Sequence, residues 1–148
     1  MLLLCIIVFL GAAAYATLRL IIPLYVYEVG YSYTEVGLTS FATGILYTVS
    51  AIPLGKASDR VGRRAFILSG LVGIAICALA YQATSSLINI LLISGFLGVV
   101  SGAWWPIVGA LMAELAPAEK RGFVMGVYGT SWSAAYAVGP MVGGFILD

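Results

Sequence analysis

The sequence predicts an all-α protein whose helices form a polytopic transmembrane bundle. Hydrophobic residues make up 62% of the 148 residues and charged residues only 9%, which is too little polar surface to cover a water-soluble globule. The apolar residues fall into five runs, each close to the roughly 20 residues that cross a bilayer as a helix. None of these runs shows the alternating polarity of a membrane β-strand.

The five runs are expected to form one transmembrane domain over residues 1–148. The predicted spans are about residues 2–27, 35–54, 65–81, 87–113 and 122–147.

The basic residues indicate how these spans are oriented. Residues 28–34 and 82–86 contain no Lys or Arg, whereas the other two junctions are basic. The residues at the basic junctions are Lys56, Arg60, Arg63, Arg64, Lys120 and Arg121. Because short cytoplasmic loops carry an excess of positive charge, we expect a multi-pass protein of the cell (plasma) membrane with a cytoplasmic N-terminus.

Composition also excludes several classes of function. The chain has no histidine, and its carboxylates lie at or near the ends of the spans. It therefore lacks the metal cluster, nucleophile or acid pair that a membrane-embedded enzyme needs. A net charge of +1 without a basic tail argues against a nucleic-acid partner. We expect no enzymatic activity, no metal and no cofactor.

The first span contains Arg19, a charged residue set well inside an apolar run, with Tyr15 one helical turn earlier. A guanidinium inside a bilayer costs a few kcal/mol, so it should face protein or water. Two interpretations follow. Arg19 either lies in a cavity, where it attracts an anionic substrate or takes part in gating, or it extends through lipid to the outer interface, about 12 Å away.

Spans 2, 4 and 5 carry polar, small and aromatic residues at helical spacing. The stripe in span 2 should face a cavity or another helix, and the small residues of span 4 should let a neighbouring backbone approach. In span 5 large rings are expected to face a cavity or the core, while small residues further along the same face pack tightly. The stripe is Thr39, Thr43, Tyr47 and Ser50; the small residues are Ser94, Gly98 and Gly102 in span 4 and Ala135, Gly139 and Gly143 in span 5. The candidate cavity residues are Tyr15, Arg19, Tyr47, Trp132 and Tyr136.

The junction between spans 2 and 3 reads G-K-A-S-D-R-V-G-R-R from Gly55 to Arg64. Its two glycines predict a sharp turn, since glycine adopts backbone conformations closed to other residues. Six of its residues resemble the loop 2 to 3 signature of the major facilitator superfamily, G-x-x-x-D-R-x-G-R-R. These residues are Gly55, Asp59, Arg60, Gly62, Arg63 and Arg64.

A second stretch, A-Y-A-V-G-P-M-V-G-G from Ala135 to Gly144, is similar to the span 5 motif of that family, G-x-x-x-G-P-x-x-G-G. Ala135 replaces the first glycine, and the other matching residues are Gly139, Pro140, Gly143 and Gly144. In the family this motif is typical of antiporters that export solutes. Pro140 is expected to mark a bend where helices meet.

The resemblance implies a secondary transporter that works by alternating access, with two six-helix halves around a central substrate site. It further implies an efflux antiporter of the multidrug resistance type. Its partners would be a small-molecule substrate, the lipid bilayer and a missing C-terminal half. Asp59 would bridge to that half at the cytoplasmic side, and Arg63 or Arg64 would pair with Glu114. These contacts and the span 5 motif would control the conformational equilibrium.

Two departures from the family pattern leave alternatives open. Ser94 stands twelve residues before Pro106, where the family often has an arginine linked to proton coupling. Five spans are also one fewer than a six-helix half. The chain is therefore expected to be an N-terminal fragment or a truncated, inactive transporter. The rival function is a non-transporting membrane scaffold that binds other helices through its glycine faces.

Overall fold

The computed structural model describes residues 2–147, and every regular element in that range is helical. The predicted all-α fold is confirmed. The elements are α1 Leu2–Glu28, α2 Tyr33–Val61, α3 Arg63–Gln82, α4 Leu87–Leu115 and α5 Arg121–Leu147, with a single 3-10 turn at Ala118–Lys120. Prolines lie inside α1, α2, α4 and α5 without interrupting the helix.

Helices α1 to α4 are long and apolar enough to cross a membrane. Helix α5 has 27 residues, as α1 does, and it contains several glycine, hydroxyl and aromatic residues. Its place as a fifth span stays a prediction.

The junction between α2 and α3 differs from the predicted two-glycine turn. Helix α2 continues through Gly55 to Val61, and the helical conformation is interrupted only at Gly62, which has a φ of +116°. The expectation that Gly55 turns the backbone was wrong. A single glycine inside a helix costs about 1 kcal/mol, which is too little to end a helix whose following residues favour the helical state.

Tyrosines and a helix cap order the opposite end of α2 and its neighbours. Ser32 and Glu35 form a capping box at the start of α2. The hydroxyl of Tyr25 donates to the carbonyl of Thr84 at 2.7 Å. Tyr31 donates to the carbonyl of Ser85 and accepts from the next helix, at the backbone N–H of Leu87. These two tyrosines therefore fix the α3–α4 connection.

The chain divides into two compact units, one formed by residues 22–107 and the other by the residues up to 21 and from 108 onward.

In the unit of residues 22–107, α2 and α4 pack in parallel. Gly98 lies against the backbone of Thr43 and Tyr47, and Gly102 lies against Tyr47 and Ser50. Along this contact the residue numbers of α2 increase as those of α4 increase, so the two helices run in the same direction. The prediction that the small residues of α4 admit a neighbouring backbone is confirmed. A Cβ at Gly98 would overlap the carbonyl oxygen of Thr43.

Helices α3 and α4 pack antiparallel in the same unit. A Cβ at Gly70 would lie 2.9 Å from Cβ of Trp104, and Gly73 lies against Val100. Further along, the hydroxyl groups of Tyr81 and Ser94 are 2.7 Å apart. Residue numbers therefore increase on one helix as they decrease on the other. The apolar helix α3 thus has a packed, glycine-bearing face as well as an exposed one.

In the other unit, α1 and α5 pack in parallel. A Cβ at Gly139 would lie 2.6 Å from the carbonyl oxygen of Ala13, and one at Gly143 would lie 2.9 Å from Cγ2 of Thr17. The Thr17 hydroxyl lies 2.8 Å from the carbonyl of Gly139. Ala135, on the same face of α5, is completely buried. The predicted tight packing along this face is confirmed.

The directions of these three pairs agree with a chain that crosses a membrane back and forth. Two odd-numbered helices are parallel, two even-numbered helices are parallel, and α3 is antiparallel to α4. Successive membrane-spanning helices must alternate in direction, so both compact units have the internal geometry that such a path requires.

Candidate functional site

The charged junction contains one ion pair whose geometry the structure defines. The Asp59 carboxylate accepts a hydrogen bond from the Arg63 guanidinium at 2.9 Å, one helical turn away across the break at Gly62. The side chain of Asp59 remains 56% exposed, whereas that of Arg63 is 18% exposed. Arg60 and Arg64 are exposed. The junction therefore presents a partly neutralised carboxylate on a basic surface, with acceptor capacity left for a further partner.

Glu114 is exposed near the end of α4. Its expected ion pair with Arg63 or Arg64 stays a prediction.

The span 5 motif divides into glycines that pack and a glycine that does not. Gly139 and Gly143 lie against α1, whereas a Cβ at Gly144 would meet nothing within 4 Å. Pro140 lies inside the continuous helix α5. Because proline has no N–H, Pro140 cannot donate the backbone hydrogen bond that other residues of the helix donate. The motif therefore combines a close helix contact with a weakened turn of helix.

Three aromatic residues lie beside this contact, and we call them the aromatic cluster: Tyr15, Trp132 and Tyr136. The ring centroids of Tyr15 and Tyr136 are 6.5 Å apart, and those of Trp132 and Tyr136 are 5.8 Å apart at an edge-to-face angle of 83°. Tyr15 is buried, Tyr136 is half-buried and Trp132 is 37% exposed. The cluster extends from the packed core to an accessible surface.

Arg19 is one turn beyond Tyr15 on α1, and its side chain is exposed. No ion pair or hydrogen bond joins its guanidinium to another of the side chains that the structure describes. Of the five candidate cavity residues, four lie in one compact unit: the aromatic cluster and Arg19.

Tyr47, the fifth candidate, belongs to the other unit. Its backbone packs against Gly98 and Gly102 of α4, and its neighbour along the stripe, Thr43, donates a hydrogen bond to the carbonyl of Ser94 at 3.0 Å. Of the two alternatives for the polar stripe, the structure favours contact with another helix.

Ser94 has a role that the sequence did not indicate. Its side chain is completely buried, its hydroxyl contacts that of Tyr81, and its carbonyl accepts from Thr43. Ser94 therefore links three helices at the position where the family pattern often has an arginine. Its spacing of four residues from Gly98 was the signal for packing. Among residues 2–147 no group of His, Cys, Asp and Glu could hold a metal ion.

Comparison with known proteins gives consistent matches over nearly the whole chain. A family model described as Major Facilitator Superfamily matches residues 4–148. The chain is 29% identical over 128 residues to an uncharacterized MFS-type transporter of Methanocaldococcus jannaschii. This alignment covers 86% of the chain and 33% of the relative. It is 30% identical over 145 residues to the multidrug resistance protein MdtG of Proteus mirabilis. This alignment covers 95% of the chain and 36% of the relative. The chain spans about a third of the length of these relatives.

Proposed function

The chain belongs to the major facilitator superfamily, and on that premise we propose that it contributes the first five spans of a secondary transporter for small organic solutes. The relatives named multidrug resistance protein MdtG favour efflux, and the span 5 motif favours antiport. In this proposal the solute is exchanged against an ion by alternating access, and the chain performs no covalent chemistry.

The observation that carries the proposal is the α1–α5 contact of one compact unit. Here a close glycine-mediated helix pair adjoins an aromatic cluster and a charged residue that are accessible from outside the packed core. Transporter sites are formed between helices near the membrane midplane, by side chains on irregular or weakened helical segments. Pro140 supplies such a segment beside Tyr136.

The same proposal gives the orientation in the membrane. Parallel α2 and α4 both end in basic junctions. The first contains Arg60, in the last turn of α2, with Arg63 and Arg64, and the second contains Lys120 and Arg121. By the positive-inside tendency both junctions face the cytoplasm. This orientation also gives a cytoplasmic N-terminus in a plasma-membrane protein whose remaining spans complete the transporter.

A transport assay on the full-length protein tests the proposal. Vesicles containing the protein would be loaded with a library of organic solutes, energised with a proton or sodium gradient, and sampled by mass spectrometry of the medium. At least one solute should cross in a protein-dependent manner that an ionophore abolishes. If no solute moves in response to either gradient, the proposed function is wrong and the scaffold alternative gains support.

Asp59→Asn tests the role proposed for the charged junction. The substitution removes the negative charge that Arg63 pairs with and that would bridge to the other half, so the inward-facing state should gain population. We expect the initial transport rate to fall by about fivefold or more, with unchanged membrane insertion. Glu119→Gln, at an exposed carboxylate of the second basic junction, is the matched control. An Asp59→Asn variant with the rate of the Glu119→Gln variant would contradict this role.

A further inference from the structure

The hydroxyl group of Thr17 lies between α1 and α5 and has two acceptors within reach. It is 2.9 Å from the carbonyl oxygen of Ala13, one turn earlier on α1, and 2.8 Å from the carbonyl oxygen of Gly139 on α5. All three residues belong to the same compact unit. A hydroxyl group has a single proton to donate, so the two carbonyls compete for it or share it. One acceptor therefore belongs to the helix of Thr17 and the other to its neighbour.

The two glycines beside this hydrogen bond allow α5 to approach α1 but have no side chain that could hold it there. A Cβ at Gly139 would lie 2.6 Å from the carbonyl oxygen of Ala13, and a Cβ at Gly143 would lie 2.9 Å from Cγ2 of Thr17. Small residues act by permitting close backbone contact, whereas a hydrogen bond has a preferred distance and direction. The hydroxyl of Thr17 therefore fixes the separation that the glycines make possible.

The hydrogen bond of Thr17 lies close to the ring contact between Tyr15 and Tyr136, in the same compact unit. Tyr15 precedes Thr17 by two residues and Tyr136 precedes Gly139 by three. The two ring centroids are 6.5 Å apart, near the upper end of the range of about 4.5–7 Å in which aromatic pairs attract each other. A small increase in the distance between the helices would take the rings out of contact. The ring pair therefore depends on the distance that Thr17 sets.

From these contacts we infer that Thr17 is a positioning residue of the proposed substrate site, because its hydroxyl holds α5 on α1 and thereby Tyr136 against Tyr15. The inference rests on the proposed function and adds a residue that lies outside the sequence motifs. The contact is also reversible. When α5 moves away, the hydroxyl still donates to the carbonyl of Ala13, so no buried donor loses its acceptor, which is the costly event when a hydrogen bond breaks. Thr17 thus acts as a latch that opens and closes.

Thr43 has the same two kinds of acceptor in the other parallel helix pair and provides the matched control. Its hydroxyl lies 3.1 Å from the carbonyl oxygen of Thr39 on its own helix and 3.0 Å from that of Ser94 on α4. The side chain of Ser94 is also bonded to Tyr81 of α3. Because Thr43 belongs to the other compact unit, removal of its hydroxyl should leave the rings of the aromatic cluster in contact.

A fluorine label at position 136 measures the ring contact directly. The amino acid 3,5-difluorotyrosine would replace Tyr136 in the full-length protein in lipid nanodiscs, and Tyr15→Leu would give the fluorine NMR frequency of the separated state. Saturation transfer at that frequency measures the population of separated rings. Thr17→Ala and Thr17→Ser both lack the methyl group of Thr17 and differ from each other only in the hydroxyl. A role that consists only of packing the methyl group against Gly143 would therefore change both variants equally.

We expect Thr17→Ala to increase the population of separated rings about fivefold, as the loss of one ordinary hydrogen bond implies. Thr17→Ser and Thr43→Ala should keep the wild-type population. Equal populations in Thr17→Ala and Thr17→Ser would overturn the inference. An increase in Thr43→Ala as large as that in Thr17→Ala would overturn it as well, because the effect would then be a general loosening of the helices.

Transport measurements distinguish a failure of this inference from a failure of the proposed function. The initial transport rate of the solute library, normalised to folded protein, should decrease in Thr17→Ala and be restored in Thr17→Ser. Equal rates in the two variants would reject the positioning role of Thr17 and leave the proposed function in place. A wild-type protein that moves no solute would reject the proposed function, and with it the role of Thr17 in transport, whatever the ring populations are.

Discussion

In both parallel helix pairs, α2 with α4 and α1 with α5, glycines of one helix lie against the backbone of the other. The residues beside the glycines distinguish the pairs. Next to the α2–α4 contact, Ser94 forms a buried hydrogen bond with Tyr81 and a partly buried one with Thr43. Next to the α1–α5 contact, the aromatic cluster extends to an exposed surface. Arg19, on the same helix α1, is exposed.

The comparison shows that glycines determine how closely two helices approach, but not what lies beside the contact. Small residues at intervals of four let two helices approach closely, and they do so in both pairs. They give no information about whether the space beside the contact is filled. A hydroxyl hydrogen bond crosses both contacts, from Thr43 to Ser94 and from Thr17 to Gly139, whereas beside the α1–α5 contact bulky rings extend to an exposed surface. A substrate site is therefore expected beside α1 and α5.

Gly98→Ala should have the largest effect on stability, because the new methyl group would overlap the backbone carbonyl of Thr43. Backbone cannot move aside as a flexible side chain can, so we expect a loss of about 1–3 kcal/mol in the free energy of unfolding. Thermal unfolding of the purified full-length protein measures it. Gly44→Ala is the matched control, since a Cβ there meets nothing within 4 Å and alanine favours the helix. Equal stabilities for the two variants would contradict the α2–α4 contact.

Gly139→Ala should cost less stability than Gly98→Ala but affect transport more. A Cβ at this position would lie 2.6 Å from the carbonyl oxygen of Ala13 and 3.1 Å from Cβ of Ala16. Separation of α5 from α1 costs about 1–2 kcal/mol and displaces Tyr136 from Tyr15. Transport per folded molecule should therefore decrease.

The measurement is the initial transport rate well below the unfolding temperature, normalised to folded protein. Gly144→Ala is the control, because its Cβ would be in open space. If Gly98→Ala and Gly139→Ala reduced the normalised rate equally, the functional distinction between the two helix pairs would be lost.

The helical fold and the glycine contacts could be predicted from the sequence because they depend on local patterns. Apolar runs of bilayer length indicate helices, and the spacing of Gly98 and Gly102 indicates a face that another backbone can approach. The position of the turn before α3 depends on a small difference between the helix propensities of neighbouring residues. The helical preference of the residues after Gly55 outweighs the cost of one glycine, so the helix continues to Val61.

The environment of single polar residues could not be predicted in the same way. Arg19 fits a cavity or a lipid interface equally well in sequence. In sequence, Ser94 stands out only as the replacement of an arginine and by its spacing from Gly98, whereas its partners Tyr81 and Thr43 belong to two other helices. Such contacts between distant residues have no signature in a local pattern.

Ser94→Ala should have the smallest effect of the three substitutions and should affect stability alone. It removes the hydroxyl contact with Tyr81 but keeps the backbone carbonyl that accepts from Thr43, so the expected loss is about 1 kcal/mol. Ser69→Ala is the control, because the Ser69 hydroxyl is exposed and donates only to a carbonyl of its own helix. A serine hydroxyl does not titrate near neutral pH, and the pH dependence of transport should stay the same. A changed pH dependence at wild-type stability would instead place Ser94 in the ion pathway and remove the contrast between the two helix pairs.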